Sequence, residues 1–399
     1  MSARSLPAAP FVLIDDARAE GAAPARLYRD PVDIVRADDI AEVVPALMRL
    51  RKAQASGLHA AGVIGYEAGH ALEPRLHALD LRMRPGDPPL LWFGLFEEVE
   101  EIAPDAVAAL VGEAASAPRL APEPLISRAE YDAAFSSVQD RIVAGDVYQI
   151  NLTFPCRVAV EGDPAAFYGA VRPHAAAGHG ALVFTGDHWL LSFSPEMFFA
   201  LEQGQLTVRP MKGTAPRDAN PARDSENSRL LQTDTKQRAE NLMIVDLLRN
   251  DLSRIAVPGS VRVSDLFTVE TYPTVHQMTS TVTAVADPAR DAVDVLMALF
   301  PCGSVTGAPK IRAMEIIHEV EGAARGPYTG SIGRFDPSGD AAFNVAIRTI
   351  WINNGGSAGT LGLGSAVVAD SHAAGEWREC LDKARFLAPD VTGRAGERT

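Results

Sequence analysis

Residues 341–368 read AAFNVAIRTIWINNGGSAGTLGLGSAVV, two long apolar runs with an Asn-Gly pair between them. Asn-Gly accepts the positive φ values of a tight turn and closes antiparallel hairpins. Long antiparallel neighbours exclude a repeating strand–helix barrel, whose strands are all parallel. A second such pattern spans 180–211: ALVFTG, a turn at Asp187, HWLLSFSPEMFFAL, a turn at Gly204, then QLTVRPM. It reads as a β-meander that leaves Lys212 at a strand end. Further strand patterns lie at Phe11–Ile14, in AAGVIGYEAG, in LLWFGLFEEVEEI and from Val147 to Val160.

Helical spacing separates these strands. An amphipathic helix is expected around Asp39–Lys52. Ser127 and Glu130 form a capping-box pattern ahead of Tyr131, Phe135, Val138 and Ile142. Asp234 caps DTKQRAENLMIVDLLRNDL, another helix precedes Phe300, one starts near Lys310, and Ser371 caps a last helix to about Leu387. Ala103–Pro124, rich in alanine, proline and acid, reads as a connector. Hairpins mixed with helices predict an α+β fold.

The net charge of −14 and the absence of a basic cluster argue against a nucleic-acid surface. Cys156, Cys302 and Cys380 lie far apart without CxxC spacing, so neither a disulfide framework nor a cysteine zinc site is expected. MSARSLPAAP lacks the apolar stretch of a signal peptide, and no apolar run reaches membrane-spanning length. The expected setting is a reducing cytoplasm, with no membrane partner.

Several positions could carry chemistry. Glu376, Glu379 and Lys383 stand at i, i+3 and i+7, on one helix face. They form either a solvated face with a Glu-to-Lys pair, or a carboxylate pair for a hard cation with a lysine for an anion. Glu240, at the edge of NLMIVDLL, is a boundary charge or a second helix's ligand for Mg²⁺, which takes oxygen donors. In FNVAIRTIW, strand alternation puts Phe343, Val345, Ile347 and Trp351 on one face and Asn344, Ala346 and Arg348 on the other. Arg348 then meets a carboxylate ligand or closes an internal salt bridge. Glu196 interrupts the apolar run SFSPEMFF, where burial would raise its pKa and suit it to general acid catalysis. Lys212 in RPMKGTAPR stands between conformationally restricted neighbours, as a surface charge or as a mounted functional group. GSVTGAPK is not a phosphate loop, because proline precedes its lysine and isoleucine follows it. GLGSAV likewise fails the dinucleotide fingerprint.

Taken together, GDVYQINLT, SFSPEMF, RPMKGTAPR, RAENLMIVDLLRNDL, YPTVHQM, FPCGSVTGAPK, RGPYTGSIG, NVAIRT and VADSHAAGEWRECLDKA resemble the chorismate-utilising enzymes. They cover roughly residues 125 to 388 in the family's order. The resemblance implies a single large chorismate-binding fold, two mostly antiparallel sheets packed together with helices outside. It also implies a catalytic unit at 125–388, an N-terminal region at 1–120 packed on it, and a frayed tail at 389–399.

By resemblance, Glu240 and Glu379 hold Mg²⁺, with Glu376 assisting through water. Gly213, Thr214, Tyr328, Arg348, Gly364, Ser365 and Lys383 bind substrate carboxylates, the glycines, Thr214 and Ser365 through backbone N–H groups. Glu196 is the general acid for the leaving C4 hydroxyl, and His276 lies near that hydroxyl. Gln149 stands where water-adding members carry a lysine base, which points away from isochorismate formation. Lys212 in PMKGT matches the PIKGT of C4-aminating members, whereas C2-aminating members carry alanine there. The implied reaction is amination of chorismate at C4 through a Lys212 adduct, on the route to p-aminobenzoate and folate. Cys302 and Cys380 sit in motifs that give them no glutaminase role, so ammonia is expected from a separate glutaminase subunit. The opening LIDD lacks the serine of the family's tryptophan-binding LLES, so a tryptophan site is not expected.

Overall fold

The computed structural model describes residues 6–112, 121–272 and 275–387. The expected tail at 389–399 and part of the 103–124 connector lie outside them. Two ten-stranded sheets dominate the fold, and every described pairing between strands is antiparallel. The first sheet runs Gly307–Ala308, Gln149–Ala159, Ala358–Val367, Thr349–Asn353, His188–Ser192, Gly180–Phe184, Phe11–Asp15, Ala25–Arg29, Glu100–Ile102, with Glu123–Pro124 on the second strand. The other runs Met211–Pro216, Val275–Val285, Gln205–Arg209, Met197–Glu202, Ala341–Asn344, Ser331–Phe335, His59–Ile64, Leu91–Phe96, Asp33–Ala37, with Arg262–Thr271 also paired to Val275–Val285. Residues before 112 thus supply three strands to each sheet.

The sheets pack face to face. Val12, Tyr28, Ala181, Val183 and Leu190 of one meet Ala61, Val63, Trp92, Phe96 and Ile332 of the other in a buried layer. Alternation along each strand then feeds two further cores. Phe11 and Leu13, on either side of Val12, turn outward to the core beneath helices Arg128–Val143, Pro164–Ala175 and Lys310–Val320. Val35, Phe93 and Phe343 turn outward to the core beneath Ile40–Ala55, Thr235–Ser253 and Ala292–Leu299. Strands buried on both faces explain why Phe11–Ile14 reads as an unbroken apolar run. The α+β fold with two packed antiparallel sheets and outer helices is what the sequence predicts.

The helix caps follow local chemistry. Asp39 with Glu42 and Ser127 with Glu130 close capping boxes, and Asp234 accepts from the Gln237 N–H. Ser371 is a correction. The last helix, Ala373–Asp382, starts at His372 without a side-chain cap. The Ser371 hydroxyl instead accepts from the Val368 N–H and donates to Glu376 Oε1.

Two strand readings also change. The expected meander at 180–211 divides, because Gly180–Phe184 and His188–Ser192 lie in one sheet and Met197–Glu202 and Gln205–Arg209 in the other. FNVAIRTIW divides as well: Ala341–Asn344 and Thr349–Asn353 belong to different sheets. Phe343, Val345 and Ile347 do share one core, but Trp351 packs against the inter-sheet layer, because alternation is broken between them. The chain therefore crosses between sheets at residues 193–196 and returns at 345–348. The two crossings are strapped together. Phe193 N–H donates to Arg348 O at 3.0 Å, Val345 N–H to Glu196 O at 3.0 Å, and Ser194 Oγ to Val345 O at 2.6 Å. No helix among the described residues is long and apolar enough to cross a membrane.

Candidate active site

The two crossings carry Glu196 and Arg348. Glu196 is 5 % exposed, and its Oε1 accepts from Ser304 Oγ at 2.9 Å. Burial pushes its carboxyl up to about 7, against the opposing pull of Ser304, Lys212, the Met211 N–H and Lys383. Arg348 adopts φ 51, the left-handed region, where the returning strand turns into the first sheet. No acidic side chain among the described residues pairs with it; burial holds its guanidinium below the ordinary value, and only Tyr272 opposes this. The internal salt bridge is therefore absent, and a half-buried cation is left for a ligand.

Lys212 sits at a β-bulge. The pairing of Met211–Pro216 with Val275–Val285 shifts register between Met211 and Thr214, and Gly213 holds φ 90 inside the shift. A bulge re-aims the side chain beside it, and glycine supplies the positive φ. Gln277 braces this bend: its Nε2 donates to Gly213 O at 2.8 Å and its Oε1 accepts from Thr214 Oγ1 at 3.0 Å. Lys212 is half-buried, and its pKa is lowered by burial first and then by Lys383, while Glu240, Glu196 and Glu379 oppose the shift. The structure thus brings Lys212, Glu196, Glu240, Glu379 and Lys383 within one electrostatic neighbourhood.

A cavity of about 570 Å³ lies beside these strands, lined by Arg18, His179, Pro195, Met197 and Met211 among others. Pro195, Met197 and Met211 line it, whereas their neighbours Glu196 and Lys212 do not. The two aspartates of LIDD are used internally: Asp15 accepts from Arg172 and Tyr168, and Asp16 from Arg18.

The helices supply the carboxylates. Glu240 is half-buried on Thr235–Ser253; burial raises its pKa, Lys212 and Lys236 lower it, and Glu379 raises it further. On Ala373–Asp382, burial raises the Glu379 carboxyl, but Lys383, 2.9 Å away, outweighs this and holds it below its ordinary value. Glu376 Oε1 is taken by Ser371, yet its buried Oε2 has no hydrogen-bond partner. Among the described residues no three acidic, histidine or cysteine side chains already surround a common point. The donors nonetheless fit a hard cation: one orphaned carboxylate oxygen and two carboxylates that sense each other, with waters and substrate left to complete the shell.

The strand Ala358–Val367 carries the glycines. Thr153 N–H donates to Glu321 and Asn151 N–H to Thr306 O, so both face away from this neighbour. In an antiparallel ladder the residue opposite Thr153, Gly364, then also points its N–H outward, and Lys383 Nζ reaches its carbonyl at 2.8 Å. By the same alternation Ser365 directs its N–H into the ladder, so Gly364 is the backbone donor of the pair. Tyr328 is buried over Gly362, where a Cβ would lie 2.1 Å from its ring, and burial pushes its phenol up. Both ring nitrogens of His276 are engaged: Nε2 lies 2.9 Å from Asp224 and Nδ1 3.1 Å from Thr271 Oγ1. Gln149 is wholly buried, and both its side-chain polar atoms lack partners.

The sequence reading missed Gln277 and Ser304. Gln277 lies inside the quoted YPTVHQM and Ser304 inside FPCGSVTGAPK, but neither spacing shows a contact 64 or 108 residues away along the chain.

A fold of two packed antiparallel sheets, with an acid, a lowered-pKa lysine and carboxylates converging at the crossings, defines a class. The family model described as chorismate binding enzyme matches residues 12–389, and the chain belongs to that family. It is 43% identical over 265 residues to aminodeoxychorismate synthase component 1 of Salmonella typhimurium, covering 66% of this chain and 58% of that protein. It is 35% identical over 299 residues to anthranilate synthase component 1 of Haloferax volcanii, covering 74% and 57%. The chain therefore spans somewhat over half the length of these curated relatives. The crystal structure of anthranilate synthase component I from Streptococcus pneumoniae superposes with a TM-score of 0.78 at 25% identity, covering 96% of this chain and 93% of that one.

Proposed function

We propose that this chain aminates chorismate at C4 with ammonia, giving 4-amino-4-deoxychorismate, with Lys212 as the nucleophile. The observation that carries the reading is Lys212 itself. It is mounted on a bulge, its pKa is depressed by burial and Lys383, and Glu196 stands within its field. A neutral amine is the form that attacks carbon. The similarity to aminodeoxychorismate synthase component 1 supports the same assignment.

In this reading the substrate carboxylates lie against Arg348, Lys383, Tyr328 and the backbone of Gly213, Thr214 and Gly364, the Ser365 N–H being spent in the ladder. Glu240 and Glu379, with Glu376, would hold Mg²⁺, which when bound neutralises carboxylate charge. Lys212 Nζ forms a bond to C2, both ring double bonds shift (C1=C2 to C1=C6 and C5=C6 to C4=C5), and the C4–O bond breaks. Glu196 gives its proton to the departing oxygen, which leaves as water. Ammonia then bonds to C4, both double bonds shift back, and the C2–N bond breaks to return Lys212 as the free amine. Glu196 regains a proton from solvent. A carboxyl whose pKa lies near 7 is suited to both halves of that cycle. His276, held by Asp224 and Thr271, supports the leaving-group side. The ammonia comes from a separate glutaminase subunit, in keeping with the "component 1" of the relative's name.

The test is incubation with chorismate, Mg²⁺ and an ammonium salt, with added aminodeoxychorismate lyase. p-Aminobenzoate is expected. Anthranilate in its place would overturn the C4 assignment. Intact-protein mass spectrometry of the stalled enzyme should show a substrate adduct that Lys212→Ala lacks.

A further inference from the structure

The segment FPCGSVTGAPK is largely buried and held by hydrogen bonds at several points. Cys302, Ser304, Val305 and Thr306 are all buried. Thr306 Oγ1 donates to Cys302 O, and Arg325 Nη1 donates to Val305 O. A Cβ on Gly303 would meet Leu247 Cδ2 at 2.0 Å. The segment is therefore pressed against the helix that also carries Glu240, two turns earlier.

From this fixed loop Ser304 Oγ lies 2.9 Å from Glu196 Oε1 and 3.2 Å from Cys302 Sγ. A serine hydroxyl has one proton to give. Given to the carboxylate, the stronger acceptor, it leaves Cys302 as the donor to Ser304. Burial pushes the Cys302 thiol up to about 12, so it keeps the proton this role needs. The chain then has one direction: Cys302 S–H to Ser304 O–H to Glu196 Oε1. An oxygen that accepts this hydrogen bond is not the one that carries the acid proton.

We propose that Ser304, backed by Cys302, is a positioning residue for the general acid: its hydroxyl occupies Oε1 of Glu196 and so keeps the transferable proton on Oε2. This rests on Glu196 being the acid, as set out above. Among the described residues, the charged and titratable groups that act most strongly on Glu196 are Lys212 and Lys383, and Cys302 lies behind Ser304. None of them does what Ser304 does, which is to distinguish the two carboxyl oxygens by a directed hydrogen bond.

The experiment is the pH profile of kcat for wild type, Ser304→Ala, Ser304→Thr and Cys302→Ala, alone and combined with Glu196→Gln. Loss of the Ser304 donor removes a bond that favours the carboxylate. The limb where activity falls with rising pH should then move up by about one pH unit. Because the proton is no longer confined to one oxygen, plateau kcat should fall ~10-fold with KM little changed. Ser304→Thr should restore both. Cys302→Ala should move the limb the same way by less, and it keeps the test standing if Ser304→Ala folds poorly. In the Glu196→Gln background Ser304→Ala should have no further effect. An unmoved limb, or an equal loss in that background, overturns the positioning role. Full activity of Glu196→Gln alone would instead overturn the acid assignment.

Discussion

The acid side and the carboxylate side of the candidate site are built in opposite ways. Glu196 lies at the crossings between sheets, buried, with its backbone carbonyl, its Oε1 and the hydroxyl behind it all engaged. Glu379, 54 % exposed in its side chain, Glu240 and Glu376 ride on outer helices, and their oxygens are incompletely used. Strands that cross between sheets fix a group against several segments at once, whereas a helix at the rim leaves its outer face to solvent. The acid is thus organised before substrate arrives, and the carboxylate side is left for ligands to complete. A preorganised group loses little on binding, while an open one adapts to what it receives.

That contrast can be broken experimentally. Lys212→Ala, between the two sides, should lower amination on the order of 10⁵-fold, as removal of a covalent nucleophile does, without altering the melting temperature. Glu196→Gln should cost roughly 10²–10⁴-fold in kcat. The folded pKa of Glu196 is raised to about 7 from 4.5. Its contribution to stability is therefore full below about 4.5 and is lost as pH rises through about 7. Glu196→Gln should then melt higher than wild type at pH 8, by the equivalent of roughly 2–4 kcal/mol, and show no such gain at pH 4. A variant that is no more stable at pH 8 would show that Glu196 is not strained by burial.

The carboxylate side should respond differently. Glu379→Gln is expected to raise the Mg²⁺ concentration for half-maximal activity by ~10-fold or more, with excess Mg²⁺ recovering much of the rate. Calorimetry should show a stability change within about 0.5 kcal/mol, because little packing is lost. An equally large stability loss would mean this side is as built-in as the other. The smallest effect on activity is expected from Gly213→Ala, which forces a Cβ into a positive-φ bulge at a stability cost of about 1–2 kcal/mol. It should lower kcat more than it raises KM, by displacing Lys212.

Much of the fold was legible in the chain. The capping boxes at Asp39–Glu42 and Ser127–Glu130, the Asp234 cap and the Asn-Gly hairpin depend on neighbours in sequence. Local hydrogen bonds and dihedral preferences settle such features. The division of 180–211 and 341–353 between two sheets was not legible, because alternation is the same whichever sheet a strand joins. Ser371 looked like a cap for the same local reason and was claimed by Glu376 instead.

For the site, residue types and motif order were enough to nominate Glu196, Lys212, Glu240, Glu376, Glu379 and Arg348. They could not say that Arg348 has no internal partner, that Gly364 and not Ser365 turns its N–H to the open edge, or that Ser304 reaches Glu196. Those are consequences of register and of which segments meet at the crossings. Sequence determined this protein's elements and the chemical groups they carry, since both follow from short-range physics. Only the tertiary structure decided which groups are buried, paired or left unsatisfied, because burial and pairing are set by contacts between residues distant in the chain.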